Sequence, residues 1–305
     1  MKNPNENIEK MTNRCGFVSI VGRSNAGKST LLNYLVGEKI SIVSPKVQTT
    51  RQEIRGIIEY ENSQIIFVDT PGFCSKNTAL EKVLLTNFRR SYRNSDVVLM
   101  LVDCTEKNWQ SDLGFLSHEK KINKPFAIAV NKVDLLQNKS YLLEMADILK
   151  RDTLVDEIFM ISALKGTGIE PIKSYLAKAV PVGDWLYGND HATTDQNLAT
   201  RLSEITREAV FEKLEQELPY SVYVRTDKLS QTDKKIKLMQ SIVVMRDSQK
   251  AIVLGHHGKM IHSIRCTAIT KMREIFRKTI ELKLFVIVKG VWTSSKEHLK
   301  NAGLI

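Results

Sequence analysis

Residues 16–29 read Gly16-Phe17-Val18-Ser19-Ile20-Val21-Gly22-Arg23-Ser24-Asn25-Ala26-Gly27-Lys28-Ser29. A short apolar run ends in glycine and passes directly into a GxxxxGK[ST] segment, which opens a stretch of helical spacing, Ser29–Leu35. The strand–loop–helix context makes the pattern a phosphate-binding loop rather than a chance match. Gly22 and Gly27 let the backbone wrap closely round phosphate oxygens. The N–H groups of the loop, Arg23, Ser24, Asn25 and Ala26 included, join the helix N-terminus in presenting positive dipoles to them. Lys28 adds a charge at the β- and γ-phosphates, and Ser29 can place its hydroxyl on Mg²⁺.

Working outward, the apolar theme recurs at Ile65–Val68, Val97–Val102, Phe126–Val130 and Ile158–Ile161. Each run is strand-sized and apolar nearly throughout, as in strands buried on both faces of a mostly parallel sheet. Helical spacing fills the gaps at Leu80–Tyr92, Leu113–Lys121, Tyr141–Leu149 and Ile169–Ala179. The alternation predicts an α/β fold, a doubly wound domain. Arg55–Tyr60 and Ile65–Val68, joined by Glu61-Asn62-Ser63-Gln64, are expected to form a hairpin within it.

The base is chosen elsewhere. Asn131-Lys132-Val133-Asp134 follows the strand Phe126–Val130, at the carboxyl edge where open α/β sheets bind ligands. The Asp134 carboxylate can accept two N–H bonds from guanine, a pair adenine does not offer. Asn131 is expected to meet the guanine edge and Lys132 to lie along the base plane. Ser162-Ala163, after the strand Ile158–Ile161, is expected to brace the base from the other side. Asp69-Thr70-Pro71-Gly72 follows a third strand: Asp69 holds Mg²⁺ through water in this reading, and the Gly72 N–H contacts the γ-phosphate. Thr49 or Thr50 completes the magnesium shell, with Thr50 favoured. The next residue after Gly72 is Phe73, where Ras-like proteins carry a water-orienting glutamine. Phe73 cannot do that work. Asn25 offers one substitute, a side-chain oxygen that holds K⁺ beside the phosphates.

The alternating pattern ends near Val180-Pro181, and the polar segment 182–197 reads as a linker. A helical pattern from Leu198, stopped by Pro219, precedes two strands, Ser221–Thr226 and Ile236–Met245. Between them the polar stretch Lys228–Lys237 carries four lysines. Gly255-His256-His257-Gly258 then joins two helical stretches, and a strand, Ile280–Val288, follows. In KH domains a GxxG loop lets the backbone approach single-stranded RNA closely. Lys250, Lys259, Arg265, Lys271 and Arg273 stand near it in sequence as phosphate contacts. Gly255, His256, His257 and Gly258 form the contact loop itself. Adjacent histidines without carboxylate or thiol companions make a poor metal site.

The 305 residues carry a net charge of +11. Residues 1–190 hold 25 Lys/Arg against 22 Asp/Glu, and residues 191–305 hold 20 against 12, so the smaller part carries most of the excess. Such a module suits a polyanion, either nucleic acid or an anionic membrane surface. Four scattered cysteines without a CxxC pair argue against zinc and against a disulfide framework. The polar N-terminus lacks a signal-peptide pattern, and no apolar run is long enough to span a bilayer.

The order phosphate loop, Thr-Thr, Asp-Thr-Pro-Gly, Asn-Lys-Val-Asp, Ser-Ala, linker and GxxG module resembles the Era family of bacterial GTPases over nearly the whole chain. Gly37–Ser44, Gln48–Arg51 and Leu218–Val222 look like that family specifically. The resemblance implies a P-loop GTPase domain over 14–181, a linker over 182–197, a KH domain of type II-like topology over 198–290 and a tail over 291–305. It implies binding of GTP, GDP and Mg²⁺ and slow hydrolysis of GTP, with Lys28, Thr50 and Gly72 as the catalytic groups. It further implies binding of the 3′ end of 16S rRNA, assistance to 30S subunit maturation, and a cytoplasmic monomer with a peripheral inner-membrane fraction and no DNA partner. Ser24 and Ala26 stand where the family usually has proline and valine. The His-His insert stands where it usually has a lysine, which removes a fixed charge beside the RNA backbone.

Overall fold

The computed structural model describes residues 12–44, 54–69, 93–112, 124–153, 155–188, 193–216 and 218–290. The expected helices Leu80–Tyr92 and Leu113–Lys121 and the tail 291–305 lie outside the described residues.

Six strands form the first sheet: β1 (Arg14–Gly22), β2 (Ile54–Tyr60), β3 (Ser63–Asp69), β4 (Val97–Asp103), β5 (Phe126–Asn131) and β6 (Glu157–Met160). Their order is β2-β3-β1-β4-β5-β6, with β2 antiparallel to β3 and every other neighbour parallel. The expected hairpin is present, but Ser63 and Gln64 belong to β3, so the turn narrows to Glu61-Asn62, with Glu61 left-handed at φ 51°.

Period-two alternation explains the layers. Along β4, Val97, Leu99 and Leu101 join one core, while Val98, Met100 and Val102 join another. The first core takes the apolar faces of α1 (Lys28–Val36) and α3 (Ile169–Ala179) through Leu31, Leu32, Leu35, Ile172 and Leu176. The second takes α2 (Ser140–Asp152) through Met145 and Leu149. Both faces are therefore covered, which is why these runs carry no polar alternation. Chain order reverses about β1, whose carboxyl end lies between those of β3 and β4. That is the switch point where doubly wound sheets bind ligands.

The described part of 182–197 is strapped to the sheet. Gln64 donates to the Tyr187 carbonyl at 2.8 Å and accepts from the Leu186 and Tyr187 N–H groups at 3.0 Å each. Trp185 and Tyr187 pack against Cys15, Ile57 and Ile66.

The second unit comprises α4 (Leu198–Lys213), β7 (Tyr223–Gln231), β8 (Lys235–Val244), α5 (Asp247–Leu254), α6 (Lys259–Phe276) and β9 (Thr279–Val288). β7 and β8 pair antiparallel, β8 and β9 parallel, in the order β7-β8-β9. Asn197 caps α4 by accepting from the Thr200 N–H at 2.9 Å. The helix stops at Lys213, ahead of Pro219. The lysine-rich stretch is not a loop: β7 and β8 run into it and leave only Thr232-Asp233-Lys234 as the turn. Lys228, Lys235 and Lys237 sit on strands because only one face of this sheet packs on helices; Lys237 is exposed while its neighbours Ile236 and Leu238 are buried.

Candidate nucleotide site and nucleic-acid interface

The phosphate loop occupies the turn from β1 into α1. Gly27 is the N-cap of α1, left-handed at φ 98°, and no side chain of the described residues caps the helix there. A Cβ on Gly27 would stand 2.3 Å from Asn131 Nδ2, and one on Gly22, at φ 147°, would stand 2.5 Å from the Leu101 carbonyl oxygen. Both positions thus demand glycine on backbone angle and on space. Asn25 is also left-handed, at φ 66°. Ala26 is buried, and its N–H donates to the Arg23 carbonyl at 3.2 Å, closing the loop between Arg23, Ser24 and Asn25. Lys28 Nζ folds back to the carbonyls of Gly22 at 3.0 Å and Arg23 at 2.8 Å, holding a cation at the centre of the turn.

Ser29 Oγ donates to Asp69 Oδ2 at 2.9 Å, so the residues expected at the metal meet across 40 positions of chain. Two hard oxygen donors side by side, one a carboxylate, fit a small divalent cation such as Mg²⁺. Ser41 Oγ bonds the same Asp69 oxygen at 3.0 Å, a contact that sequence reasoning missed. Thr49, Thr50, Thr70, Pro71, Gly72 and Phe73 lie outside the described residues.

At the base end the structure adds a role to one residue. Asn131 is buried and both its polar ends are taken by protein: Nδ2 donates to the Ala26 carbonyl at 2.8 Å, and Oδ1 accepts from the Ala163 N–H at 2.9 Å. Its side chain ties the phosphate loop to the Ser162-Ala163 loop, and the amide keeps a second N–H and a second lone pair beside these bonds. Lys132 is left-handed at φ 68° and pairs with Asp103 at the end of β4. Val133 opens a short 3-10 turn, Val133–Leu135, that presents Asp134. The Ser162 hydroxyl is the main reason the Asp134 carboxyl lies below its ordinary range, outweighing burial, with Lys165, 3.8 Å from it, adding to the effect. An ionised acceptor is therefore held ready at the position where guanine discrimination is expected.

The KH-type face is built on α5 and α6. Gly255 (φ 69°, ψ 174°) ends α5, His257 is left-handed at φ 49°, and Gly258 at φ 75° starts α6. A Cβ on Gly255 would meet Met260 at 2.6 Å, whereas one on Gly258 meets nothing within 4 Å among the described residues. Gly255 thus serves the turn, and Gly258 leaves open space in front of the backbone. His256 and His257 are exposed with rings edge to face, and Lys259 and Arg265 are exposed on α6, with Lys250 half-buried on α5. Lys271 departs from expectation: it is bound to Glu208 and Glu212 of α4 rather than left for phosphate.

These two halves define a class, a P-loop nucleotide-binding domain read for guanine and joined to a KH module. A family model described as 50S ribosome-binding GTPase matches residues 17–132, and a KH domain model matches residues 217–293. GTPase Era of Mesorhizobium japonicum is 39% identical over 98% of this chain and 96% of its own, and GTPase Era of Sinorhizobium medicae is 39% identical over 95% and 94%. A crystal structure of Era in complex with MgGDPNP and nucleotides 1506–1542 of 16S ribosomal RNA superposes with a TM-score of 0.86, at 30% identity over 96% of this chain and 99% of that one. A variant of Aquifex aeolicus Era bound to GDP·AlF4⁻ gives a TM-score of 0.87 at 31% identity, over 95% and 99%. The chain belongs to the Era family of GTPases.

Proposed function

We propose that this GTPase is a switch that binds GTP and GDP with Mg²⁺ over residues 14–181, engages the 3′ end of 16S rRNA through residues 198–290, and assists maturation of the 30S subunit. In this reading the Lys28 ammonium and the phosphate-loop N–H groups hold the phosphate oxygens, and Ser29, Asp69 and Thr50 take the metal. Bound Mg²⁺ supplies charge neutralisation across the β- and γ-phosphate oxygens. Asp134, set by Ser162, reads guanine; Asn131 keeps the loops in register. Asn25 holds K⁺ near the phosphates, a role that equal hydrolysis rates in sodium and potassium would exclude.

The observation that carries the RNA half is Gly258, left-handed with open space before it, flanked by exposed His257, Lys259 and Arg265. An anionic lipid surface needs charge but no such close approach. No helix of the described residues is long and apolar enough to cross a membrane. The family model that mentions the 50S particle covers only residues 17–132, whereas the Era–16S rRNA complex aligns over 96% of this chain, so the small-subunit RNA is the better supported partner.

The test is binding of a short single-stranded RNA copying the 3′ end of 16S rRNA, with GDP and with a non-hydrolysable GTP analogue, beside Gly258→Asp. Binding lost in the variant supports the reading. Binding retained in it moves RNA off the glycine loop, and no binding by either protein removes the RNA partner.

A further inference from the structure

Gly255-His256-His257-Gly258 carries no fixed charge, although a GxxG loop is where a KH backbone meets RNA phosphate. The loop is a closed turn. The Gly258 N–H donates to the Gly255 carbonyl at 3.1 Å, and the Lys259 N–H donates to the His256 carbonyl. His257 is left-handed at φ 49° and ψ 32°, a conformation that a residue with a Cβ holds only where its surroundings impose it. Both rings stand exposed on this turn, with centroids 4.1 Å apart and planes 75° from each other. The flanking helices carry Lys250 on α5, and Lys259, His262, Arg265 and Cys266 on the first turns of α6. His262 is engaged elsewhere, its Nε2 3.4 Å from Cys266 Sγ. The carboxylates of these helices are remote: Asp247 opens α5 at its far end, and Glu274 lies in the last turn of α6. Among the described residues of α5 and α6, the pair is therefore flanked by cations and solvent, with no acid beside it to hold a proton on either ring.

We propose that His256 and His257 are phosphate contacts that work as imidazolium, so that this loop binds single-stranded RNA together with protons. The proposal rests on the reading that the loop Gly255–Gly258 contacts RNA. Imidazole is the side chain that changes charge between about pH 5 and 8. As a neutral ring it offers a phosphate one N–H. As a cation it offers two and a charge, and charge-assisted hydrogen bonds are roughly twice as strong as neutral ones. A phosphate at the loop therefore favours the charged rings, and by linkage the complex tightens as protons become available. The spacing of the rings adds to this. Two cations 4.1 Å apart repel each other in the free loop, on a face that also carries Lys259 and Arg265, and an anion between them offsets that repulsion. The contribution is fully present at the acid end of the range and is lost as pH rises through the point where the complex releases its protons. A lysine in this loop would contribute the same charge throughout. The pair thus makes RNA retention answer to acidity, with no residue of the nucleotide site taking part.

The test uses the full chain with Mg²⁺ and a non-hydrolysable GTP analogue, and a short single-stranded RNA copying the 3′ end of 16S rRNA. Affinity is read by fluorescence anisotropy between about pH 5.5 and 8, where imidazole titrates and the RNA bases do not, at several salt concentrations. Three variants accompany the parent. His256→Gln/His257→Asn removes both rings and keeps a residue that tolerates the left-handed angle. His256→Lys/His257→Asn restores one fixed charge. His262→Gln removes the third imidazole of α6. In the parent, affinity rises about tenfold or more as pH falls across this range, the effect of one linked proton held about one pH unit more tightly in the complex. Its slope of log affinity against log salt steepens by about 0.7 for each imidazolium formed. Calorimetry near the middle of the range, in buffers of different ionisation enthalpy, reads the proton uptake directly. The Gln/Asn variant stays at the parent's alkaline affinity throughout, the Lys/Asn variant binds more tightly and equally across the range, and His262→Gln follows the parent. All four proteins bind a fluorescent GDP analogue alike and share one far-ultraviolet circular dichroism spectrum. A parent whose affinity and salt slope ignore pH, or a Gln/Asn variant that keeps the parent's response, overturns the proposal and leaves the RNA reading standing. A response lost in His262→Gln assigns the proton to that ring and overturns it as well. If no protein binds the RNA at any pH, the RNA reading itself fails and the proposal falls with it.

Discussion

Asn131→Ala separates two accounts of the same side chain. If Asn131 works on guanine alone, its loss weakens nucleotide binding and leaves the empty protein intact. The structure gives it work in the empty protein as well: the Ala26 carbonyl and the Ala163 N–H both depend on it, at 2.8 and 2.9 Å, in a site 2% exposed. Truncation orphans both groups. Each buried orphan costs about 1–3 kcal/mol, which gives roughly 2–6 kcal/mol in all, with about 3 a fair centre once the loops relax. Against a total stability of about 5–15 kcal/mol that is a severe loss. For a domain of this size each kcal/mol moves Tm by about 2–4 °C, so the nucleotide-free protein should melt about 6–12 °C lower. Tryptophan fluorescence during thermal unfolding reads this, because Trp109 is buried in the core beneath α2. GDP affinity should fall as well, through disorder of the phosphate loop. A nucleotide-free Tm within about 2 °C of the parent, together with a GDP affinity lowered by a hundredfold, would refute the reasoning and leave Asn131 with the base alone.

Gly27→Ala should abolish measurable GDP binding in a titration with a fluorescent analogue, because its Cβ would stand 2.3 Å from Asn131 Nδ2 at a φ of 98°; binding within tenfold of the parent would show that the loop can rearrange. Ser162→Ala should weaken GDP about three- to tenfold at pH 7, the worth of about one hydrogen bond. The Asp134 pKa is lowered chiefly by Ser162, so the carboxylate's favourable contacts are present above its ordinary value of 3.8 and fade as pH falls through its folded value. The variant's acid loss of GDP binding should therefore begin at higher pH than the parent's, and identical acid limbs would remove Ser162 from this role. The ion pairs of Glu38 with Arg201 and of Lys271 with Glu208 and Glu212 should hold unchanged between about pH 5.5 and 9.5. Burial alone would raise Glu38, but Thr193 and Arg201 bring it below its ordinary 4.5, so its contribution is lost only as pH falls through that lowered value. Burial alone would lower Lys271, but Glu212 and Glu208 raise it above 10.5, so its contribution is lost only as pH rises through that raised value. A Tm that changes between pH 6 and 8 would point to a titrating group outside this network.

The elements that could be read from sequence are those whose cause is local. Val97–Val102 announces a strand because both faces are buried, and the alternation of Val97, Leu99 and Leu101 with Val98, Met100 and Val102 between two cores shows why no polar residue interrupts it. The phosphate loop is legible because its glycines answer to the angles of one turn. Asp134 is legible because its place at the end of a buried strand limits what it can face. Lys228–Lys237 misleads for a local reason too: lysines on the solvent face of a one-sided sheet look like a loop when the buried partners, Ile236 and Leu238, are spaced two apart.

What could not be read is the identity of partners distant in the chain. Asn131 carries the same composition and position whether or not it bonds Ala26, which is 105 residues away, and only the fold shows that contact. Asp103 gives no sign that Lys132 will find it. Glu38 and Lys39 read as a polar pair closing α1, and their partners in α4 lie 163 and 169 residues on. These long-range contacts share one property. Each joins a loop to something outside its own strand–helix unit, and none is needed to form that unit. A chain can therefore satisfy every local rule of a nucleotide-binding domain while the contacts that tie its loops together stay unwritten in any single segment. The Ser41–Asp69 bond shows the consequence most directly. One hydroxyl, two residues beyond the lysine that pairs with Glu208 of α4, shares an Asp69 oxygen with Ser29, and neither segment announces that meeting.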